Sequence, residues 1–392
     1  MAQDVRTRTI VYVSTPSRLN ALLRTLLVNS LLLAALVSSV PLTSSQAQAE
    51  TPTPEEMDSG YRPLPVPTRV VDTRDGRWRV TPGDNILLNV GALVQQDPAK
   101  IAAVSATITA VDAEGAGWLR AMPCDATVST SLVNYDDANP RAIHAVVQTN
   151  ASGLACFTTG DSAAHIIVDV DGWFEYGYGF SPTWPYRAFD SRSSPMATSY
   201  TVQVADPGTK AAYVGVVATA PSAPGYLSVH RCDQFPTDTS LVNFLPLRTY
   251  ANSSLVELSP DGTVCFTASQ PTHIVVDVYG YQSVGYRSEP PRRVVDTRRT
   301  NQRGYFTQVV VPQSYGAVLS IVIVAPASAG YATIRPCNRP RPPASFINYE
   351  AGETVAGAAI ISPDGSGKVC IDSSTTVDMI VDYHGGLSGP AL

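Results

Sequence analysis

The sequence predicts an all-β protein of three tandem β-sandwich-like modules of about 100 residues, each holding one disulfide. Three observations carry that expectation. First, a charged hexapeptide recurs. Arg69-Val70-Val71-Asp72-Thr73-Arg74 returns letter for letter as Arg293-Val294-Val295-Asp296-Thr297-Arg298 and, loosened, as Arg187-Ala188-Phe189-Asp190-Ser191-Arg192. Self-similarity of this kind marks a repeat architecture and takes precedence over local pattern. Second, the six cysteines fall into pairs, Cys124 with Cys156, Cys232 with Cys265 and Cys337 with Cys370, at separations of 32, 33 and 33 residues. An even count at one repeated spacing in an exported chain points to a disulfide in each module. Such a bridge stabilises its module by roughly 3–4 kcal/mol in the chain-entropy model. No Cys-x-x-Cys or Cys/His spacing favours zinc instead. Third, apolar residues come in short runs rich in Val, Ile, Thr and Tyr, interrupted every 8 to 12 residues by Gly, Pro, Asn or Asp. That is the rhythm of a sandwich or barrel.

Taken in order, residues 1–49 read as an export signal. Arg18 and Arg24 precede a largely apolar run from Leu26 to about Leu42, and Ala47-Gln48-Ala49 offers the small residues of a cleavage site after Ala49. The competing reading is an uncleaved anchor, since a run of about 17 residues lies at the lower edge of spanning length. Residues 50–60, rich in Thr, Pro and Glu, read as a flexible linker. Module 1 is expected at 61–175, module 2 at 182–283 and module 3 at 288–386.

Within each module the landmarks keep one order. Gly117-Trp118-Leu119, Gly225-Tyr226-Leu227 and Gly330-Tyr331-Ala332 come first, and the first cysteine follows. Then come Ser131-Leu132-Val133-Asn134, Ser240-Leu241-Val242-Asn243 and Ser345-Phe346-Ile347-Asn348, and the Asn lies 22 residues before the second cysteine in every copy. Closing runs follow: His165 to Trp173, His273 to Tyr281, and Asp378 to Gly385. Ser259-Pro260-Asp261-Gly262-Thr263 and Ser362-Pro363-Asp364-Gly365-Ser366 predict hairpin turns, with φ fixed at Pro and positive at the Gly after Asp. The alanines of Ile101 to Ala113 suggest a helix, but Val104, Thr107, Ile108, Thr109 and Val111 favour a strand.

Pro-x-Arg-Val-Val-Asp-Thr-Arg, Gly-Tyr-Leu-x-Val-x-x-Cys, Ser-x-Val-Asn-Phe, Asp-Gly-Thr-Val-Cys and Thr-His-Ile-Val-Val-Asp-Val-x-Gly-Tyr together resemble the β-rich repeat module of exported actinobacterial proteins. The resemblance runs from Arg62 to Gly385. It implies tandem modules, often beside a secreted hydrolase, and brings no established catalytic residues with it. Module 3 departs from the pattern by lacking the His and the closing aromatic, and no appended enzyme is expected.

A net charge of -6 and the absence of a basic stripe exclude a nucleic-acid footprint. No Gly-x-Ser-x-Gly, His-Glu-x-x-His or Walker-type loop occurs. No catalytic residue, cofactor or metal is therefore expected. Asp169-Val170-Asp171-Gly172 resembles half a calcium loop, but Tyr279 replaces the second Asp in module 2. Asp169, Asp277 and Asp382 sit in apolar closing strands and need a cationic partner. The expectation is a structural clasp of Arg69, Asp72, Arg74, Arg187, Asp190, Arg192, Arg293, Asp296 and Arg298 with those three carboxylates. Candidate ligand-binding aromatics are Trp118, Trp173, Trp184, Tyr226, Tyr281 and Tyr331, which could stack on sugar rings or pack one module on the next. The functional expectation is a non-catalytic exported binding or spacer element, secreted or envelope-associated. A polysaccharide-binding lectin is the alternative, and a cryptic hydrolase comes third. Expected partners are a cell-envelope glycan or a surface protein, with a membrane involved only if the signal segment is retained.

Overall fold

The computed structural model describes residues 53–390 apart from 55, 77, 129, 137–139 and 237–238. The expected signal at 1–49 lies outside the described residues. The first unit comprises β1 (Tyr61–Asp72), β2 (Asn85–Asn89), β3 (Ile101–Val111), β4 (Gly117–Pro123), β5 (Val133–Tyr135), β6 (Arg141–Gln148), β7 (Leu154–Gly160) and β8 (His165–Glu175). They pair antiparallel as two four-stranded sheets, β1-β8-β3-β6 and β2-β7-β4-β5. The segment that alanine content could disguise as a helix is β3, buried along its whole length between β8 and β6, where β-branched side chains pack well.

The second unit repeats this pairing with β9 (Phe180–Asp190), β10 (Ala197–Gln203), β11 (Ala211–Thr219), β12 (Gly225–His230), β13 (Val242–Phe244), β14 (Thr249–Glu257) and β15 (Thr263–Gln282). The third has β16 (Tyr286–Asp296), β17 (Gly304–Val310), β18 (Gly316–Val324), β19 (Gly330–Pro336), β20 (Ile347–Tyr349), β21 (Val355–Ile361) and β22 (Lys368–Leu387). β15 and β22, each 20 residues long, bend from one sheet into the other and do the work of β7 and β8 together. The chain is thus all-β, with three sandwich-like units. Among the described residues helix is confined to short pieces such as α1 (Val90–Val94) and α2 (Thr297–Thr300).

A bulge recurs in each closing strand. Ser105 faces Gly172 while Ala106 faces Val170, so Asp171 is the extra residue; Tyr279 and His384 hold the same place in β15 and β22. The glycine after each bulge is required by packing. A Cβ on Gly172 would stand 2.6 Å from the Tyr61 ring, on Gly280 2.6 Å from Phe180 and on Gly385 2.8 Å from Tyr286. The aromatic that opens each unit therefore lies on the glycine that nearly closes it.

One turn differs from expectation. Gly262 takes φ 81 and donates its N–H to Ser259 at 2.9 Å, as a Pro-Asp-Gly turn requires. In the third unit the positive φ falls on Gly367, at 74, not on Gly365. Two extra residues separate Pro363 from its cysteine, so the turn closes later, through Gly367 N–H to the Asp364 carbonyl at 2.9 Å.

The three units close a ring. β6, β14 and β21 pack on one another, while β5 rests on β14, β13 on β21 and β20 on β6. The core of the first unit takes in Phe180, Tyr213 and Leu255 from the second and Val318, Ile360 and Leu387 from the third. Residues 50–60 are correspondingly not a free linker throughout. Ser59 is fully buried and donates its N–H to Ser388 at 3.1 Å, and Gly285 donates to the Pro54 carbonyl at 2.7 Å. Their backbone groups find partners only where the lead, the link between the second and third units, and the chain end meet.

Candidate functional site

The repeated hexapeptide is a double clasp. Arg69 binds Asp169 through two parallel bonds of 2.8 and 2.9 Å, Arg187 binds Asp277 at 3.0 and 3.3 Å, and Arg293 binds Asp382 at 3.0 and 3.4 Å. These ties join the opening strand to the closing strand. The second arginine stays local, since Arg74, Arg192 and Arg298 grip Asp72, Asp190 and Asp296 at 2.6, 2.6 and 2.8 Å. The two carboxylates of a clasp respond oppositely. Burial pushes Asp169, Asp277 and Asp382 above the ordinary range, against the pull of their arginines. The Arg192 guanidinium holds half-buried Asp190 at about 2.

The hydroxyl of the hexapeptide has its own role. Thr73, Ser191 and Thr297 accept the backbone N–H of Ile166, Ile274 and Met379 at 3.0, 2.8 and 2.8 Å. Thr73 also meets His165 at 3.0 Å, and Thr297 donates to Asp378 at 3.0 Å. Either residue type serves as a strand-end partner there, so one can replace the other between units.

Cys124–Cys156, Cys232–Cys265 and Cys337–Cys370 are bonded, and no cysteine is free. Three bridges and no free thiol belong to a chain that matures in an oxidising compartment. No helix among the described residues is long and apolar enough to cross a membrane.

The aromatics do not assemble into one platform. Trp173 is 7% exposed within the core and has no face to offer a ligand, which corrects its place among the binding candidates. Tyr281 is half-buried, its hydroxyl 2.6 Å from that of Tyr186. Trp184, Tyr226 and Tyr331 are exposed on strands of separate sheets. Trp118 packs its ring on Gly160, and the Arg120 guanidinium lies 4.4 Å from the ring centre.

A buried polar network that sequence reasoning missed joins the first two units. Asp171, the bulge residue, accepts from Ser105 at 2.6 Å and Tyr61 at 3.0 Å and lies 2.9 Å from His144 Nε2. His144 Nδ1 meets the Tyr213 hydroxyl at 2.7 Å, and the Ser253 hydroxyl donates to the His144 carbonyl. An Asp-His-hydroxyl chain could move a proton, but the space beside it is about 10 Å³, too small for a substrate. It is a joint. No group of three or more metal-ligating side chains occurs among the described residues.

In the third unit the bulge residue is His384, which lines a small gap with Glu289 of its own unit and with Arg231 and Glu257 of the second. Burial pushes it down to about 4. Its folded value lies below the unfolded one, so stability is complete above pH 6.5 and is lost as pH falls from 6.5 towards 4. We expect a loss of about 3 kcal/mol over that window. His384→Tyr, which copies Tyr279, should flatten that part of the pH–stability curve. Equal slopes for both proteins would remove His384 as the cause.

The ring is not equally tight at its three joints. Asp169 accepts the Ser345 N–H at 3.1 Å, tying the first unit to the third. Asp382 accepts the Ser240 N–H, and Ser320 donates to the Ser240 carbonyl at 2.8 Å, tying the third to the second. At the remaining joint Asp277 receives hydrogen bonds from Arg187 alone among the described residues, and Gly215 stands where Ser320 does. A cleft of about 660 Å³ opens there, against a gap of about 10 Å³ at the joint of the first and third units and a gap of about 20 Å³ with a groove of about 170 Å³ at that of the second and third. Arg120, Arg141 and Asn134 line it from the first unit, and Arg187, Arg192 and Arg248 from the second.

No family model and no curated protein matches the chain. Among solved structures it is similar to one of Sulfolobus Turreted Icosahedral Virus, at 9% identity over 80% of this chain and 86% of that one, with a TM-score of 0.24. It is also similar to the tandem CBM22 domains of Paenibacillus barcinonensis Xyn10C, at 8% identity over 54% and 94%, with a TM-score of 0.16. A triple jelly-roll protein of an archaeal virus matches at 10% identity over 85% and 92%, with a TM-score of 0.19. At such scores the likeness carries no argument about function.

Proposed function

We propose that this chain is an exported, non-catalytic binding and spacer protein of the cell surface or extracellular space, and that its ligand site is the cleft between the first and second sandwiches. One observation carries the reading: of three equivalent joints in a closed ring, one is several times more open than either of the others. Where repeats are otherwise held alike, a local departure is where a grafted site is to be sought. A volume of about 660 Å³ lies inside the range of about 300–1,000 Å³ typical of ligand sites. The clasps and disulfides supply a stiff frame around it, as a spacer or binding module needs.

The lectin reading is favoured within this proposal by the lining. Ser131, Asn134, Tyr135, Thr219 and Thr249 bring hydroxyl and amide groups to the lining, beside the apolar Ala116, Trp118, Val217, Leu247 and Val275. Ala116 is exposed at the rim, so Ala116→Trp obstructs the cleft without disturbing the core. In pull-downs on isolated cell-wall polysaccharide, retention of the intact protein should fall at least tenfold in this variant while its melting temperature holds. Undiminished retention would place binding elsewhere and end the cleft reading.

A further inference from the structure

We infer that the cleft takes an acidic saccharide chain, and that Arg120 and Arg248 receive its negative group. The inference rests on the cleft being the ligand site.

Five arginines line the cleft, and their neighbours sort them. Arg187 and Arg192 belong to the clasp with Asp277 and Asp190. Arg141 lies over the Tyr250 ring and pairs with Glu353 of the third unit at 3.3 Å. Arg120 and Arg248 have no carboxylate within salt-bridge distance among the described residues. Arg120 donates through Nε to the Thr130 carbonyl at 3.0 Å, and its guanidinium lies on Trp118. Those contacts fix the plane of the fork and leave its Nη groups to bind. Burial without a counter-charge lowers its pKa, the direction expected of a cation waiting for an anion. Arg248 is exposed, beside Leu247, which is held at φ 61.

Neither charge is part of the repeat. Ser228 and Thr333 occupy the place of Arg120, and Glu353 occupies that of Arg248. Both cations are therefore additions made at the most open joint. Asp136 and Asp161 also line the cleft, so the lining as a whole carries no large positive excess and the anion is received at the Arg120 and Arg248 forks themselves. In a chain of net charge -6, an anion is held here by direct contact with those two guanidinium forks and not by a long-range field. A planar fork suits a carboxylate or a phosphate, and the hydroxyl-rich remainder of the lining suits a saccharide. By contrast, the groove beside Lys210 has its arginine, Arg231, neutralised by Glu257 at 2.8 Å and by Asp233.

The experiment uses the intact protein against three immobilised probes: oligogalacturonate, phosphomannan and neutral dextran oligomers. We expect binding to at least one acidic probe, weakened by salt because the charges are partly exposed. Preference between the two acidic probes identifies carboxylate or phosphodiester as the source. Arg248→Met and Arg120→Met should each weaken that binding about tenfold or more, the size of one lost charge-assisted bond. Arg248 is a surface residue, so its variant decides the matter should Arg120→Met fail to fold. Equal binding of dextran, with no effect of Arg248→Met, would overturn the acidic-ligand inference; if Ala116→Trp still blocked that binding, the cleft itself would stand. Acidic binding that survives Ala116→Trp would instead overturn the cleft. Tight binding of single-stranded DNA, competing with the acidic probes, would overturn the saccharide assignment.

Discussion

Arg69→Met should cost the fold on the order of 3–5 kcal/mol at neutral pH, the usual penalty for stranding one partner of a buried ion pair. Asp169 is 2% exposed and would keep only the Ser345 N–H among its present charge-stabilising partners. The loss should also depend on pH with a known sign. Without Arg69 the Asp169 carboxyl sits further above its unfolded value, so the variant is least impaired below about pH 4 and loses ground as pH rises. Urea unfolding at pH 4 and pH 7 tests this. A deficit equal at both pH values, or none at either, would refute the clasp as an electrostatic tie. Adding Asp169→Leu should recover most of the loss, because a well-packed apolar pair often does as well as a buried ionic one. Arg74→Met should cost at most about 1 kcal/mol, since Arg74 is 42% exposed and its pairing with Asp72 is local.

Removing one disulfide, by Cys232→Ala with Cys265→Ala, should lower stability by roughly 3–4 kcal/mol. The loop it closes contains β13 and β14, whose Asn243, Tyr250 and Ser253 face the centre of the ring. The same holds for β5 and β6 between Cys124 and Cys156, and for β20 and β21 between Cys337 and Cys370. Each bridge thus constrains the strands that meet the other units, and its loss should loosen a joint as well as a sandwich. Calorimetry of the double variant gives the value; a melt within about 1 kcal/mol of the parent would show that ring contacts alone hold those strands. The denatured, unreduced protein should show no titratable sulfhydryl.

Periodicity and repetition determined much of this protein. Short Val- and Ile-rich runs separated by turn residues specify strands because side chains alternate across a sheet, and that rule is local. The pairing of β1 with β8 was also legible, because an aspartate in an apolar strand needs a cation and the repeat supplied one at a fixed place. Recognition of the cleft was not available by the same route. Asp169 meets Ser345 across 176 residues of chain, and Arg141 meets Glu353 across 212. No sequence period reports such distances, and the closed ring exists only in those contacts. The departures at Arg120, Gly215 and Arg248 were visible on comparing the copies, but nothing in the sequence said that they face one joint. Tertiary packing decided that, because closing three units into a ring sets each against two neighbours. Wherever the side chains between neighbours fall short, the space remains open.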